Sequence, residues 1–161
     1  MERETGMEPA AQPLGFKTEW SKREDLPGFS PLPGVRMAVY SGGRMMMNFY
    51  TIQPGATIGW HSHPHEQCGT ILEGEIHLRV GTPDAEPWVL RKGDVYAIAP
   101  DTPHSGTAGP DGVVALDIFA PPREDYLTHA QAGRDGAEGT YLSASGGEAT
   151  APGASSPRRG M

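Results

Sequence analysis

The run Gly59-Trp60-His61-Ser62-His63-Pro64-His65-Glu66-Gln67-Cys68-Gly69 holds three of the chain's six histidines, and its residue types are those that do chemistry. In an extended strand side chains alternate between faces, so His61 and His63 point one way while Trp60 and Ser62 point the other. Two imidazoles on one face suit a metal ion. Gln67 follows after a three-residue spacer, and His104 lies far downstream beside another strand-like run; Glu66 is the alternative to Gln67 if the strand slips by one residue. His65 has no slot in this spacing. Imidazole and amide oxygen accept Fe(II), Mn(II), Ni(II), Zn(II), Co(II) or Cu(II), so the expected cofactor is one divalent metal of unassigned identity. Three His and one Gln leave one or two positions open on an octahedral ion. Open positions mean catalysis or ligand capture, because structural zinc sites are normally closed by four protein ligands. Neutral ligands also leave the +2 charge uncompensated, which favours holding an anionic oxygen, such as an enolate or carboxylate, over stabilising a higher oxidation state.

The elements that must position these residues read as short strands. Val35 to Tyr40 alternates and ends at the turn Ser41-Gly42-Gly43; Arg44 to Ile52 makes a second strand. Met45, Met46 and Met47 are consecutive on a strand and cannot converge on a soft metal, so they belong to packing. Gln53-Pro54-Gly55 turns the chain into the histidine strand, which continues through Thr70-Ile71-Leu72 to a turn at Glu73-Gly74. Ile76, Leu78 and Val80 alternate inward against Glu75, His77 and Arg79, which makes His77 a surface histidine. Further strands are expected at Trp88-Val89-Leu90, Val95 to Ala99 and Val113 to Phe119, the last preceded by a turn at Asp111-Gly112. The segment Leu26 to Gly34 is rich in helix breakers and reads as an irregular connection. No stretch has the pattern of a long amphipathic helix, and the fold class is all-β, an antiparallel sandwich or barrel.

Length and composition bound the rest. The 161 residues suffice for one domain, with 22 Gly and 16 Pro punctuating the strands. We expect a flexible leader and arm over 1–29, the domain over 30–128, and a disordered Gly/Ala/Ser/Pro-rich tail over 129–161. A net charge of -7 gives no reason to expect nucleic acid or an anionic membrane as partner. Cys68 is the sole cysteine, which excludes an intrachain disulfide, and it reads as a small half-buried strand residue. The polar leader carries no apolar stretch of signal-peptide length, so the cytoplasm is the default location.

Two resemblances add to this reading. The run from Gly55 through His61, His63 and Gln67 to Gly74 resembles the first cupin motif, and Gly93 through Pro100 to His104 resembles the second. Cupin membership implies a double-stranded β-helix (jelly-roll barrel) in which His61, His63, Gln67 and His104 bind one metal. Gln67 stands where many cupins have Glu, and Ala99, Asp101 and Ala108 replace the usual Pro, Gly and Asn. His63-Pro64-His65-Glu66-Gln67, taken with Asp117-Ile118-Phe119-Ala120-Pro121-Pro122-Arg123-Glu124-Asp125-Tyr126, resembles the KdgF-type cupins, which convert 4,5-unsaturated uronates to their open-chain keto form. That resemblance implies catalytic roles for Asp117 and Arg123 and a pocket wall for Phe119. Asp117 would be general acid/base, Arg123 would pair with a substrate carboxylate, and the metal would stabilise a developing enolate. Strand parity agrees for Asp117 and Phe119, which share a face with Val113 and Ala115. A structural salt bridge between Asp117 and Arg123 is the bland alternative.

The function expected is a metal-dependent isomerase or tautomerase acting on a small carbonyl- or carboxylate-bearing substrate. An Fe(II) dioxygenase, a specialised-metabolite cyclase and a non-catalytic sugar- or metabolite-binding cupin are the competing expectations. Small cupins commonly exchange edge strands, so a homodimer through the Phe16 to Asp25 arm is one expectation for assembly.

Overall fold

The computed structural model describes residues 18–134. The expected leader up to Gly15, the start of the arm and the tail beyond Arg134 lie outside the described residues. Eight strands follow a short 3₁₀ turn: β1 (Gly28–Leu32), β2 (Val35–Ser41), β3 (Met46–Ile52), β4 (Thr57–His61), β5 (Glu66–Val80), β6 (Trp88–Arg91), β7 (Val95–Ile98) and β8 (His104–Ala120). One helix, α1 (Glu124–Arg134), closes the described chain. All the pairings are antiparallel.

The two long strands organise the barrel. The order β1-β2-β3-β8-β5-β6 is joined by β4 on β8 and β7 on β5. The first part of β8 therefore pairs with β4 and the end of β5, while its last part pairs with β3 and the start of β5. Each long strand serves two layers, which is the jelly-roll arrangement. Where turns were expected at Glu73-Gly74 and Asp111-Gly112, the strands run through. Gly74 (φ 74°) and Gly112 (φ 77°) lie close together at this crossing, beside register shifts between Ile71 and Glu73 and between Gly74 and Ile76. A Cβ on Gly74 would collide with the Gly112 carbonyl. A positive-φ glycine marks a turn or a bulge equally in sequence, and here it bends a continuous strand.

The core is filled by the inward rows, with Val35, Met37, Val39, Met46, Tyr50, Ile52, Ile71, Ile98 and Phe119 all buried. Met46 is fully buried and Met45 is mostly exposed, as strand alternation requires.

Two segments depart from the expectation. The breaker-rich Leu26 to Gly34 is not an irregular connection throughout, because Gly28–Leu32 pairs with β2 as the edge strand. An edge tolerates Pro31, whose missing N–H need not feed a ladder, and the register shifts between Phe29 and Leu32. Helix α1 then runs across residue 129, where the tail was expected to begin. Its buried Tyr126 and Ala130 are four residues apart, and Phe29 meets the Tyr126 ring edge-on with centroids 5.5 Å apart. So narrow a stripe among polar residues carries little periodicity.

The described part of the arm packs on its own barrel. Tyr40 Oη donates to Glu19 O at 3.1 Å, and the Arg23 guanidinium sits 5.0 Å from the Phe49 ring centroid. Among the described residues no helix is long and apolar enough to cross a membrane.

Candidate metal centre

His61 ends β4 and pairs directly with His104, the first residue of β8. His63 follows in the β4–β5 connection, so the parity argument for one continuous strand gives way to a bend after His61; the three rings still converge. Ring centroids are 4.2 Å apart for His61–His104, 5.1 Å for His63–His104 and 5.8 Å for His61–His63. One ring nitrogen from each lies within 4.8 Å of the others.

The tautomers follow from backbone geometry. Nδ1 of His61 faces Gly59 O at 2.8 Å, Nδ1 of His63 faces His65 O at 3.1 Å, and Nδ1 of His104 faces Thr102 O at 2.8 Å. A carbonyl only accepts, so Nδ1 of His61 and of His104 carries the hydrogen and Nε2 the lone pair, whereas His63 turns both ring nitrogens toward acceptors and has one hydrogen for the two. Metal-binding histidines are held in this way.

Gln67 supplies the fit test. Its Nε2 donates to Asp117 Oδ2 at 3.0 Å, which turns Oε1 toward His63 Nε2, 3.1 Å away. With the His63 hydrogen on Nδ1 both facing atoms are acceptors, an arrangement that a cation shared between them satisfies. Two donor atoms about 3 Å apart are also what adjacent corners of an octahedron with bonds of about 2.1 Å present. The donor set fits a divalent metal. Gln67 is buried and Glu66 exposed, so the slipped-register alternative finds no support. His65 lies outside the cluster of three.

Behind the histidines runs a directed chain of hydrogen bonds. Tyr96 Oη donates to Asp117 Oδ1, Tyr50 and Tyr96 hydroxyls are 3.1 Å apart, and Gln67 donates to the other carboxylate oxygen. With Tyr96 giving its proton to Asp117, Tyr50 must donate to Tyr96. Burial, reinforced by the Asp117 charge, pushes both phenols up, so they remain donors. Gly69 makes this possible, because a Cβ there would collide with Tyr96 and Asp117.

Sequence reasoning did not pick out Tyr50 or Tyr96. Both sit on inward strand positions, where an aromatic reads as packing, and the pairing of Gly69 with Tyr96 exists only in the fold.

Asp117 and Phe119 lie on the inward row of β8, as parity predicts. Asp117 makes no ion pair with Arg123. The guanidinium pairs instead with Asp125, Nη2 to Oδ2 at 2.6 Å and Nε to Oδ1 at 3.2 Å, and lies 3.8 Å from the Tyr126 ring centroid. The turn of chain entering α1 brings that carboxylate two residues away. Arg123 and Asp117 nonetheless line one cavity with His61, Gln67, His104 and Phe119. Its volume is about 40 Å³. Sites for drug-sized ligands start at roughly 300 Å³, so only a small group enters fully. Cys68, next to Gln67 on the opposite face, is exposed and not half-buried as expected; inward Gln67 forces it outward.

The titrating groups oppose one another. Burial, with the neighbouring imidazole of His104, pushes His61 down to about 4; burial and Arg123 push His63 down to about 4, and burial lowers His104. Burial pushes Asp117 up to about 7, against the hydrogen bonds from Tyr96 and Gln67 and the Arg123 charge. A lowered histidine pKa gives stability that is present above the unfolded value near 6.5 and lost as pH falls through 4. The raised Asp117 pKa gives stability present below 3.8 and lost as pH rises through 7. Two histidines displaced about as far as the one aspartate, with His104 adding the same sign, outweigh it. The melting temperature of metal-free protein should therefore fall as pH drops from 7 to 4.5. A chelated sample melted across that range checks this, and a flat or rising profile would contradict it.

The connection before His104 holds one strained residue. Asp101 has φ 60°, and its N–H donates to His63 O at 2.8 Å, tying the two histidine segments together. A non-glycine in the left-handed region costs on the order of 1 kcal/mol. Asp101→Gly should raise the melting temperature by a few degrees with the site unchanged, and a calorimetric scan that shows a lower melt would refute the strain.

Residues 48–119 match the family model described as Cupin domain. This region is similar to cupin domains. An RmlC-like cupin from Shewanella frigidimarina NCIMB 400 superposes with a TM-score of 0.61 at 27% identity, covering 68% of this chain and 96% of that one. KdgF from Halomonas sp. gives the same TM-score at 21% identity, covering 68% and 98%, which shows a shared fold. In sequence, the HTH-type transcriptional regulator PuuR of Escherichia coli (strain K12) is 40% identical over 77 residues, covering 45% of this chain. The chain spans only 40% of that regulator's length.

Proposed function

We propose that this cupin is a mononuclear metal-dependent isomerase or tautomerase acting without oxygen on a small uronate-like carboxylate. The observation that carries the reading is the joint lining of one cavity by His61, His104, Gln67, Asp117 and Arg123, with His63 clustered beside the two histidines. A divalent ion bound there supplies Lewis acidity toward a substrate oxygen that gains negative charge. His61, His63, Gln67 and His104 would hold it.

The chain's own groups do the rest. Asp117, pushed up to about 7, holds a proton and gives it up close to neutral pH, which suits a group that moves a proton between carbon and oxygen. Arg123, steadied by Asp125 and stacked on Tyr126, offers a guanidinium to a substrate carboxylate. Phe119 forms an apolar wall and excludes water. The small cavity admits the reacting edge of a sugar acid and leaves the remainder of the ring toward the mouth.

Metal-loaded protein incubated under argon with a 4,5-unsaturated uronate should discharge the ultraviolet absorbance of the conjugated alkene. No change with metal bound, or change that requires oxygen, would defeat the reading.

A second reading, a metabolite-binding module without catalysis, is favoured by the match to the regulator PuuR. It predicts saturable binding of the same uronate with no turnover. Titration calorimetry beside the absorbance assay separates the two.

A further inference from the structure

Asn48 lies in the middle of β3, directly opposite Asp117 across the β3–β8 pair, and is 1% exposed. It lines the cavity with His61, His104 and Asp117. Its side-chain oxygen Oδ1 is buried and meets no hydrogen-bond donor. An unpaired buried amide oxygen forfeits the hydrogen bond it made to water in the unfolded chain, so the position disfavours folding compared with an aliphatic residue of the same size. The neighbouring polar groups do not relieve it. Tyr50 and Tyr96 are engaged with one another and with Asp117, whose second oxygen takes the Gln67 amide.

We propose that Asn48 is a specificity-determining residue that reads a hydroxyl group on the ligand. An orphan acceptor needs a donor. Carboxylate and keto oxygens only accept, so they cannot satisfy Oδ1. A cationic donor is disfavoured beside the Arg123 guanidinium and a centre built to hold a divalent ion. A neutral O–H satisfies the amide, and a single hydroxyl-bearing carbon suits a cavity of about 40 Å³. A site that hydrogen-bonds a hydroxyl discriminates strongly against the analogue that lacks it, because the buried acceptor is again left unpaired. The inference rests on the uronate reading only for the choice of probe.

The test uses the full chain with its metal, wild type and Asn48→Leu. Calorimetry is run with D-galacturonate and with tetrahydropyran-2-carboxylate, which keeps the ring and the carboxylate without the hydroxyls. Wild type should prefer galacturonate, and N48L should lose about tenfold or more in galacturonate affinity. Its affinity for the stripped ring and its metal content should not change. Unliganded N48L should melt at or above wild type, since the orphan oxygen is gone. Unchanged galacturonate binding would overturn the assignment. So would a melt several degrees below wild type, failure to fold included, because either makes Asn48 a structural residue. Wild-type protein that ignores both probes would defeat the uronate reading alone, and the melts still decide for or against the role of Asn48.

Discussion

Replacing His104 with alanine should weaken metal binding by about a hundredfold or more and take turnover to background. His104 is the one member of the histidine trio from the second long strand, and it stands across the β4–β8 pair from His61. Its loss removes a proposed ligand whose Nε2 is aimed by the contact of Nδ1 with a backbone carbonyl. His65 is the nearest spare imidazole, with its centroid 5.7 Å from that of His63, and it lies outside the cluster. The fold should survive, because the surrounding β5–β8 ladder is main-chain bonded and a buried imidazole contributes little packing. Metal content after chelator competition, with a circular dichroism melt as control, measures this. Stoichiometric metal in folded H104A would remove His104 from the proposed ligand set.

Asp117→Asn should cut turnover by about 10²–10⁴ while the protein stays folded. Asparagine keeps the shape but has one acceptor where the carboxylate has two. Tyr96 and Gln67 both donate to Asp117, so one of them must lose its partner or turn away. If Gln67 turns, its nitrogen and not its oxygen faces the histidines, and metal affinity should weaken by about tenfold to a hundredfold. Asp117 thus carries two proposed tasks that the experiment can separate. A rate that falls far more than metal affinity speaks for proton transfer, and equal losses speak for positioning alone. A near-wild-type rate with metal retained would end the acid/base proposal.

This arrangement also refines the charge of the site. The proposed ligands are neutral, but a carboxylate stands one hydrogen bond behind Gln67. Charge compensation therefore depends on whether Asp117 holds a proton, which a glutamate ligand in place of Gln67 would not allow.

His61, His63, Gln67 and His104 were legible as a candidate ligand set because strand alternation and motif spacing act over a few residues. The inward row of β8 was legible for the same reason: Asp117 and Phe119 share parity with Val113 and Ala115. The chain by itself determined an all-β barrel with histidines on its inner face, since period-two patterning and glycine or proline punctuation are local properties. What it left undecided depends on distant partners. Whether Gly74 and Gly112 end strands or bend them was set by their meeting across β5 and β8. The pairing of Gly28–Leu32 was set by a vacant sheet edge, and α1 by the apolar surface at Phe29 that receives Tyr126. Arg123 found Asp125 in place of Asp117 because the chain turns into α1 directly after it. The roles of Tyr50, Tyr96 and Asn48 also came from the tertiary structure. A hydrogen-bond partner, or the lack of one, belongs to a pair of residues, and their separation in sequence carries no trace of it.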